Sequence, residues 1–229
     1  MIIAIDGPAG SGKSTTARAV ARALGFLYVD TGAMYRAVAL AVHRAQTVRA
    51  GASALDLIDD IDIRLSHSGE ATEVFLQAEN ITDAIRTPEI SRLASIVAQE
   101  GRVREAMVQK QRDIVHRITG AGGGAVVEGR DIGTVVFPEA ELKVYLDADA
   151  NERARRRRDD LAARGRDLSQ AEMLQHVTDR DAEDIGRTLA PLRPADDARH
   201  LDTTTLKFED QVAQIVSWAT ETVGRPTPA

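Results

Sequence analysis

The sequence contains no cysteine, few aromatic residues and no long apolar run. Among its 229 residues there is no Cys, and aromatic side chains make up 3%. The missing Cys excludes a disulfide framework and a thiolate metal site, and it agrees with a reducing, cytoplasmic environment. The opening apolar run is cut by Asp6, and nowhere do the roughly 18 apolar residues of a membrane span run together. We therefore expect a soluble cytoplasmic protein without a membrane segment.

Lysine is also scarce, whereas acidic residues are in excess. Lys and Arg together number 29 against 35 Asp and Glu, so the net charge is −6. An acidic total argues against a general nucleic-acid-binding surface, because such a surface must neutralise phosphates. The composition predicts no nucleic-acid partner. At 43% apolar residues, the chain suits one α/β domain or one domain carrying an insert.

Five short apolar runs predict buried parallel strands, because each is too short for a helix and is bounded by Gly, Asp or Pro. These runs cover residues 2–5, 26–29, 125–128, 142–146 and 199–202. Between the first two runs, apolar residues recur at helical spacing up to Gly25. A strand, a glycine turn, a helix and a second strand form a right-handed βαβ unit.

The middle of the chain has a different pattern. Within 49–87, apolar and polar residues alternate on both sides of a Ser-Gly turn, which predicts an antiparallel hairpin in a small β insert. Two helical patterns follow over 88–118 and are interrupted near Gly101. The Gly-rich TGAGGG then leads back into the sheet.

GPAGSGKS at 7–14 matches G-x-x-x-x-G-K-[ST], and it follows a predicted strand and opens a predicted helix. In such a P-loop the backbone N–H groups converge on phosphate oxygens, Lys13 reaches the β- and γ-phosphates and the Ser14 hydroxyl ligates Mg²⁺. The alternative, a plain glycine turn with an exposed Lys, does not require this strand-to-helix context. The predicted ATP-binding residues are Gly7, Pro8, Ala9, Gly10, Ser11, Gly12, Lys13, Ser14 and Thr15.

A nucleotide site leaves open whether the protein switches, moves or transfers phosphate. A guanine-specific switch usually carries N-K-x-D, but Gln109, Leu142 and Leu206 precede Lys residues where Asn would be needed. A motor ATPase would need a longer chain. Phosphoryl transfer to a small acceptor is therefore favoured.

Five segments resemble bacterial cytidylate kinases in order and spacing over essentially the whole chain. They are IDGPAGSGKST, DTGAMYRAVAL, EGRDIGTVVFPEA, LDADANERARRRR and APLRPADDARHLDTT. The resemblance implies an α/β, P-loop NTPase-type fold: a five-stranded parallel sheet flanked by helices, with a small β-containing insert and a mobile lid. It also implies a monomer that transfers the γ-phosphoryl of ATP to CMP or dCMP with Mg²⁺. The implied division is core 1–48, 119–150 and 182–223, nucleoside-monophosphate region with insert 49–118, lid 151–181 and flexible tail 224–229.

The resemblance also assigns acceptor contacts to two strand ends. Thr31, Tyr35 and Arg36 would contact the acceptor phosphate, unless Tyr35 is a core residue and Arg36 a solvated helix side chain. Arg130 would grip the same phosphate, and Asp131 would accept a hydrogen bond from the exocyclic amine of cytosine. The family often has Ser at the first of these positions, which retains the hydroxyl.

Further acceptor contacts are implied on predicted helices. Ser95 and Arg104 align with base-contacting positions, and exposed helix residues are the alternative for each. Arg180, Asp184 and Arg187 fall at i, i+4 and i+7, which places them on one helix face. The resemblance gives the first two the sugar hydroxyls and the third the phosphate or base. A surface ion-pair stripe is the alternative.

The basic run at 153–158 is open to three interpretations. Arg153 and Arg157 share a helix face and suit a lid that closes on ATP phosphates, whereas Arg155 and Arg158 could be solvated. A nucleic-acid patch is the third interpretation, weakened by the acidic pair that follows.

The chemistry requires no general base. The CMP phosphate has a second pKa of about 6 and is mostly deprotonated at neutral pH, so catalysis rests on in-line positioning and on charge stabilisation. The predicted catalytic residues are Lys13, Arg130, Arg153 and Arg157. Glu128 stands where the family commonly has Asp, which leaves open a role toward Mg²⁺. The alternatives are a kinase for another monophosphate such as UMP, or a nucleotide-dependent RNA-binding module.

Overall fold

The structure, a computed structural model, describes residues 1–68, 71–163, 165 and 167–223. For residues 67, 68, 71 and 72 only the backbone is described. The tip of the predicted hairpin and the predicted tail at 224–229 lie outside the described residues. Within the described part, no helix is long and apolar enough to cross a membrane.

The elements follow the sequence pattern closely. In the described part the strands are β1 (Ile2–Asp6), β2 (Leu27–Asp30), β3 (Ile63–Ser68), β4 (Ala71–Leu76), β5 (Glu79–Asn80), β6 (Ala125–Glu128), β7 (Leu142–Asp147) and β8 (Arg199–Asp202). The longer helices are α1 (Lys13–Leu24), α2 (Thr31–Val48), α3 (Pro88–Val97), α4 (Gly101–Gly120), α5 (Ala150–Ala162), α6 (Gln170–Ile185) and α7 (Phe208–Val223). The five predicted parallel strands are confirmed to within one residue at either end.

The chain packs as two compact units, the sheet unit (residues 1–28 and 118–229) and the insert unit (residues 29–117). The boundary falls inside β2 and near the end of α4.

The sheet unit is built on a five-stranded parallel sheet in the order β2-β6-β1-β7-β8. Central β1 pairs on both sides, with Ile3 opposite Val126 of β6 and Leu142 of β7. All five residues of β1 are buried, as expected for a strand covered on both faces. The core joins this sheet to α1 and α7 through residues such as Val20 and Ile215. Parallel strands end at the same edge, so the loops after β1, β6, β7 and β8 share one side of the unit.

The insert unit contains the predicted antiparallel hairpin. β3 pairs with β4, Leu65 opposite Val74, and β5 extends the sheet beyond β4. β5 spans two exposed residues and is too short to produce a periodic signal, so the sequence did not predict it. Pro88 opens α3, and the Thr87 hydroxyl accepts the N–H of Ile90 as its cap. This pairing of a Thr cap with Pro at the first helical position explains why α3 begins here.

Candidate active site

The P-loop connects β1 to α1 and requires glycine for geometric reasons. Gly10 and Gly12 have φ of 81° and 89°, values in the left-handed region that other residues rarely adopt. At Gly7 a Cβ would lie 1.9 Å from the carbonyl oxygen of Leu146. The loop therefore passes directly against the end of β7, and a larger residue at position 7 would displace it. Ser14 and Thr15 are exposed in the first turn of α1.

Lys13 is buried and its side chain reaches back across the loop. Its Nζ donates to the Pro8 carbonyl at 2.6 Å and lies 3.5 Å from the Ser11 Oγ. Burial, together with the positive charge of Arg130, lowers the pKa of Lys13 to about 7. Such a site is suited to an anion. A bound negative charge favours the ammonium form of Lys13 and so offsets the effects of burial and of the nearby Arg130 charge.

Ser14 and Glu128 form a hydroxyl–carboxylate pair between the first turn of α1 and the end of β6. The Ser14 Oγ donates to Glu128 Oε1 at 2.7 Å, and the Tyr28 hydroxyl donates to the same oxygen at 2.9 Å. These hard oxygen donors suit Mg²⁺, which also keeps waters and substrate phosphates as ligands. Among the described residues, no three or more His, Asp or Glu form a metal-binding group. The pair fits a metal that arrives with a nucleotide.

Asp184 is fully buried and three arginines surround it. Arg130 Nε lies 2.8 Å from Asp184 Oδ2, Arg180 Nε lies 3.4 Å from both oxygens, and Arg187 Nη2 contacts Oδ1. Burial would raise the pKa of Asp184, but the charges of Arg130, Arg180 and Arg187 outweigh it and hold that pKa below its usual value. We call these four residues the Asp184 cluster.

The prediction that Arg180, Asp184 and Arg187 lie on one helix face is wrong for Arg187. Helix α6 ends at Ile185 and Gly186 caps it, so Arg187 reaches Asp184 from the loop that follows. The Leu192 N–H donates to the Asp184 carbonyl at 2.9 Å, which folds this loop back onto the helix end. The three residues still meet, but by a turn rather than by helical spacing.

Asp131 is buried in a turn whose backbone is tied to β1. The carboxylate of Asp6, at the end of β1, accepts the N–H of Ile132 at 2.9 Å and the N–H of Gly133 at 2.7 Å. Burial raises the pKa of Asp6 to about 6. Sequence reasoning missed Asp6, although an acidic residue closing a buried strand is a signal that it has a polar partner.

The basic run on α5 divides into buried and exposed arginines. Arg153 is buried and donates to the carbonyls of Ala148 and Ala9, at 2.8 and 3.2 Å, and it pairs with Asp181 at 2.7 Å. The second of these carbonyls belongs to the P-loop. Arg157, one turn further on, is exposed.

The remaining arginines of the run have acidic neighbours on the same helix. Arg155 pairs with Glu152 and Asp159, and Arg158 also pairs with Asp159. Their charges are offset locally, which weakens the interpretation of the run as a nucleic-acid surface.

In the insert unit, Asp30 organises the residues predicted to contact the acceptor phosphate. Its carboxylate accepts the Ala33 N–H at 2.8 Å, capping the helix that Thr31 begins, and its other oxygen accepts from Arg36 Nη2 at 3.0 Å. Sequence reasoning missed Asp30, whose position before a helical pattern is a cap signal.

Three further predicted residues lie in the same unit. The guanidinium carbon of Arg104 stands 5.7 Å from the ring centre of Tyr35, a cation–π contact. Arg104 is buried and its Nε donates to the Ala98 carbonyl. Ser95 is buried too, with its Oγ donating to the Ser91 carbonyl. The two are not exposed helix residues, the alternative left open by the sequence.

A glycine loop that carries a buried lysine from a parallel strand into a helix defines a P-loop nucleotide-binding protein. Comparison with known sequences narrows this class. The family model for cytidylate kinase matches residues 3–221, and the chain belongs to the cytidylate kinase family.

Named relatives agree with this assignment, and one solved structure has a similar fold. A cytidylate kinase of Pelotomaculum thermopropionicum is 47% identical over 218 residues, covering 94% of each chain. A cytidylate kinase of Salinibacter ruber is 43% identical over 227 residues, covering 99% of this chain and 100% of its own. The fold is similar to an uncharacterized protein from Eubacterium ventriosum, with a TM-score of 0.54 at 11% identity over 98% and 99% of the two chains.

Proposed function

We propose that the protein transfers the γ-phosphoryl group of ATP to CMP and dCMP, using Mg²⁺. Membership of the cytidylate kinase family supports the substrate class. The observation that carries the proposal is the Asp184 cluster, which places three arginines around one buried carboxylate in the same unit as the P-loop. The charge of Arg130 also acts on Lys13. Such a cluster binds both a hydroxylated sugar and an anionic phosphate, the two groups that a nucleoside monophosphate offers.

The transfer is a direct in-line displacement without a protein base. An oxygen of the CMP phosphate is already deprotonated near neutral pH, so it attacks the γ-phosphorus of ATP and ADP leaves. Lys13, Arg130, Arg153 and Arg157 stabilise the negative charge on the transferred group. Ser14 and Glu128 would hold Mg²⁺, which would supply positive charge to offset that of the phosphoryl groups.

The proposed acceptor contacts are those that the family resemblance assigns. Asp184, oriented by Arg180, accepts hydrogen bonds from the sugar hydroxyls, and Asp131 accepts one from the cytosine amine. Arg130 and Arg187 hold the phosphate. The resemblance also assigns acceptor contacts to Thr31, Tyr35, Arg36, Ser95 and Arg104.

The proposed domain roles follow the family pattern. Residues 49–118 form the nucleoside-monophosphate region and residues 151–181 form the lid, with the remaining described residues as the core. A small apolar cluster of Ala154, Met173 and Val177 lies between α5 and α6. A helix pair with its own cluster is suited to closing as one piece over bound ATP. The family resemblance also supports a cytoplasmic monomer.

The substrate assignment is tested by steady-state kinetics with MgATP and a panel of CMP, dCMP, UMP and AMP. We expect the highest kcat/KM for CMP and dCMP, because Asp131 accepts a hydrogen bond that the cytosine amine donates and the uracil oxygen does not. A higher kcat/KM for UMP or AMP would overturn the assignment.

The active-site assignment is tested with Lys13→Ala. We expect kcat to fall by about a thousandfold or more while CMP binding stays close to wild type, because the acceptor does not use the P-loop amine. Lys207→Ala, which removes an exposed amine before α7, is the matched control and should keep wild-type kcat. Full turnover in Lys13→Ala would place the active site elsewhere.

A further inference from the structure

Thr203 follows β8 and has no part in the roles proposed above. It is fully buried, with 0% of its surface exposed. Its N–H donates to the Asp147 carbonyl at 2.8 Å, which extends the pairing of β8 with β7 by one residue. Its Oγ1 lies 3.1 Å from the Ser11 carbonyl oxygen of the P-loop, 3.0 Å from the Asp147 carbonyl oxygen and 3.0 Å from Arg156 Nη1.

The chemistry of the hydroxyl decides how these contacts are used. A threonine hydroxyl has one proton to donate and lone pairs with which to accept. Arg156 can only donate, so the hydroxyl accepts from it and gives its own proton to a carbonyl. The Asp147 carbonyl already receives the Thr203 N–H, which leaves the Ser11 carbonyl as the better acceptor. Arg156 Nη2 also donates to the Thr203 carbonyl, so the guanidinium fixes the residue at two points.

We propose that Thr203 is a positioning residue for the P-loop, and that its hydroxyl sets the direction of the Gly12 N–H. A trans peptide is planar, so its C=O and the following N–H point in opposite directions. Holding the Ser11 oxygen toward Thr203 turns the Gly12 N–H away from Thr203, toward the phosphate-binding side of the loop. Gly12 has left-handed φ and no side chain of its own to restrict it, so the peptide needs an outside contact to fix it.

Two other loop carbonyls accept hydrogen bonds from charged side chains, and the Pro8 carbonyl also accepts one from the Ser11 hydroxyl. Lys13 donates to the Pro8 carbonyl and Arg153 to the Ala9 carbonyl. Both cations are themselves proposed to act on phosphate. Thr203 is neutral and buried, so its contact can persist unchanged when ATP binds. Donors fixed before the ligand arrives lose less conformational entropy on binding, which increases affinity.

This inference rests on the proposed ATP site and deepens it. We expect the loss of the hydroxyl to weaken binding of the nucleoside triphosphate and not of the acceptor. Thr203→Val keeps the side-chain shape and removes the hydroxyl. We expect it to bind ATP roughly tenfold more weakly, the cost of about one buried hydrogen bond, with a similar rise in the KM for ATP. The KM for CMP should change by less than about twofold, because the contact orients only the P-loop peptide. Thr203→Ser restores the hydroxyl and should restore ATP affinity.

The experiment measures ATP affinity by calorimetry without acceptor, and then KM for each substrate. Thr205→Val, at an exposed threonine two residues away, is the matched control and should bind ATP as wild type does. If Thr203→Val does not fold, Thr203→Cys replaces it, since a thiol is only a weak donor.

Three results would overturn the inference: wild-type ATP affinity in the variant without the hydroxyl, an equal loss in Thr203→Ser, or parallel losses for ATP and CMP. A failure of the proposed function is seen separately, because wild-type protein would then not phosphorylate CMP at all.

Discussion

Replacing Asp6 by Asn should change how the stability of the sheet unit depends on pH. The Asp6 carboxyl is 5% exposed, and burial raises its pKa from 3.8 to about 6 even though two backbone N–H groups favour its ionised form. The folded chain therefore binds a proton at this site more readily than the unfolded chain does. Stability from this group is fully present below about pH 4 and is lost as pH rises through about 6.

The size of the effect follows from the shift. A difference of about two pKa units corresponds to about 3 kcal/mol in the free energy of unfolding. Asn cannot ionise, so the variant lacks this loss. The variant has a separate loss of stability that does not depend on pH. The NH₂ group of Asn faces one of the two backbone N–H donors and leaves that donor without an acceptor, which costs about 1 to 3 kcal/mol. The difference between the two pH profiles, rather than either absolute value, isolates the titration.

The assay is urea unfolding between pH 4 and 7, followed by the fluorescence of Trp218. This is the single Trp of the sequence, and it packs against the core of the sheet unit. We expect wild type to lose about 2 to 3 kcal/mol more than Asp6→Asn across this range. Asp202→Asn is the control. A hydrogen bond from Thr204 lowers the pKa of Asp202, so removing this carboxylate should alter the dependence of stability on pH in the opposite sense. Parallel profiles for wild type and Asp6→Asn would refute the burial argument.

Two further predictions concern the segment around α6. Asp184→Ala should reduce kcat/KM for CMP more than for dCMP, because a hydrogen bond from a sugar hydroxyl to a charged group contributes about 1.5 to 3 kcal/mol. Equal losses of kcat/KM, in a variant checked for folding, would mean that Asp184 does not contact the 2′-hydroxyl. Ala190 has a left-handed φ of 50°, so Ala190→Gly should raise the free energy of unfolding by up to about 1 kcal/mol, and a lower value would show that the surrounding loop depends on the methyl group.

The sequence predicted features whose cause is local. The strands β1, β2, β6, β7 and β8 are short apolar runs with turn residues at their ends, and the P-loop is a contiguous motif between β1 and α1. In both cases the signal lies in adjacent residues: the glycine spacing of the loop and the apolar runs of the strands.

The features that could not be predicted from the sequence depend on contacts between residues far apart in the chain. Thr203 and Ser11 are separated by 192 residues, and Asp6 and Gly133 by 127. Neither threonine nor aspartate at a strand end shows which backbone group it will meet after folding. The placement of Arg187 was wrong for a different reason, because charge spacing continues past the residue where the helix itself stops.

Identification of the products shows whether the protein passes phosphate from ATP directly to CMP. Equal amounts of MgATP and CMP are incubated with the protein, and phosphorus NMR follows every phosphate in the mixture. We expect ADP and CDP to appear together in equal amounts without inorganic phosphate. Formation of ADP and inorganic phosphate with CMP unchanged would contradict it.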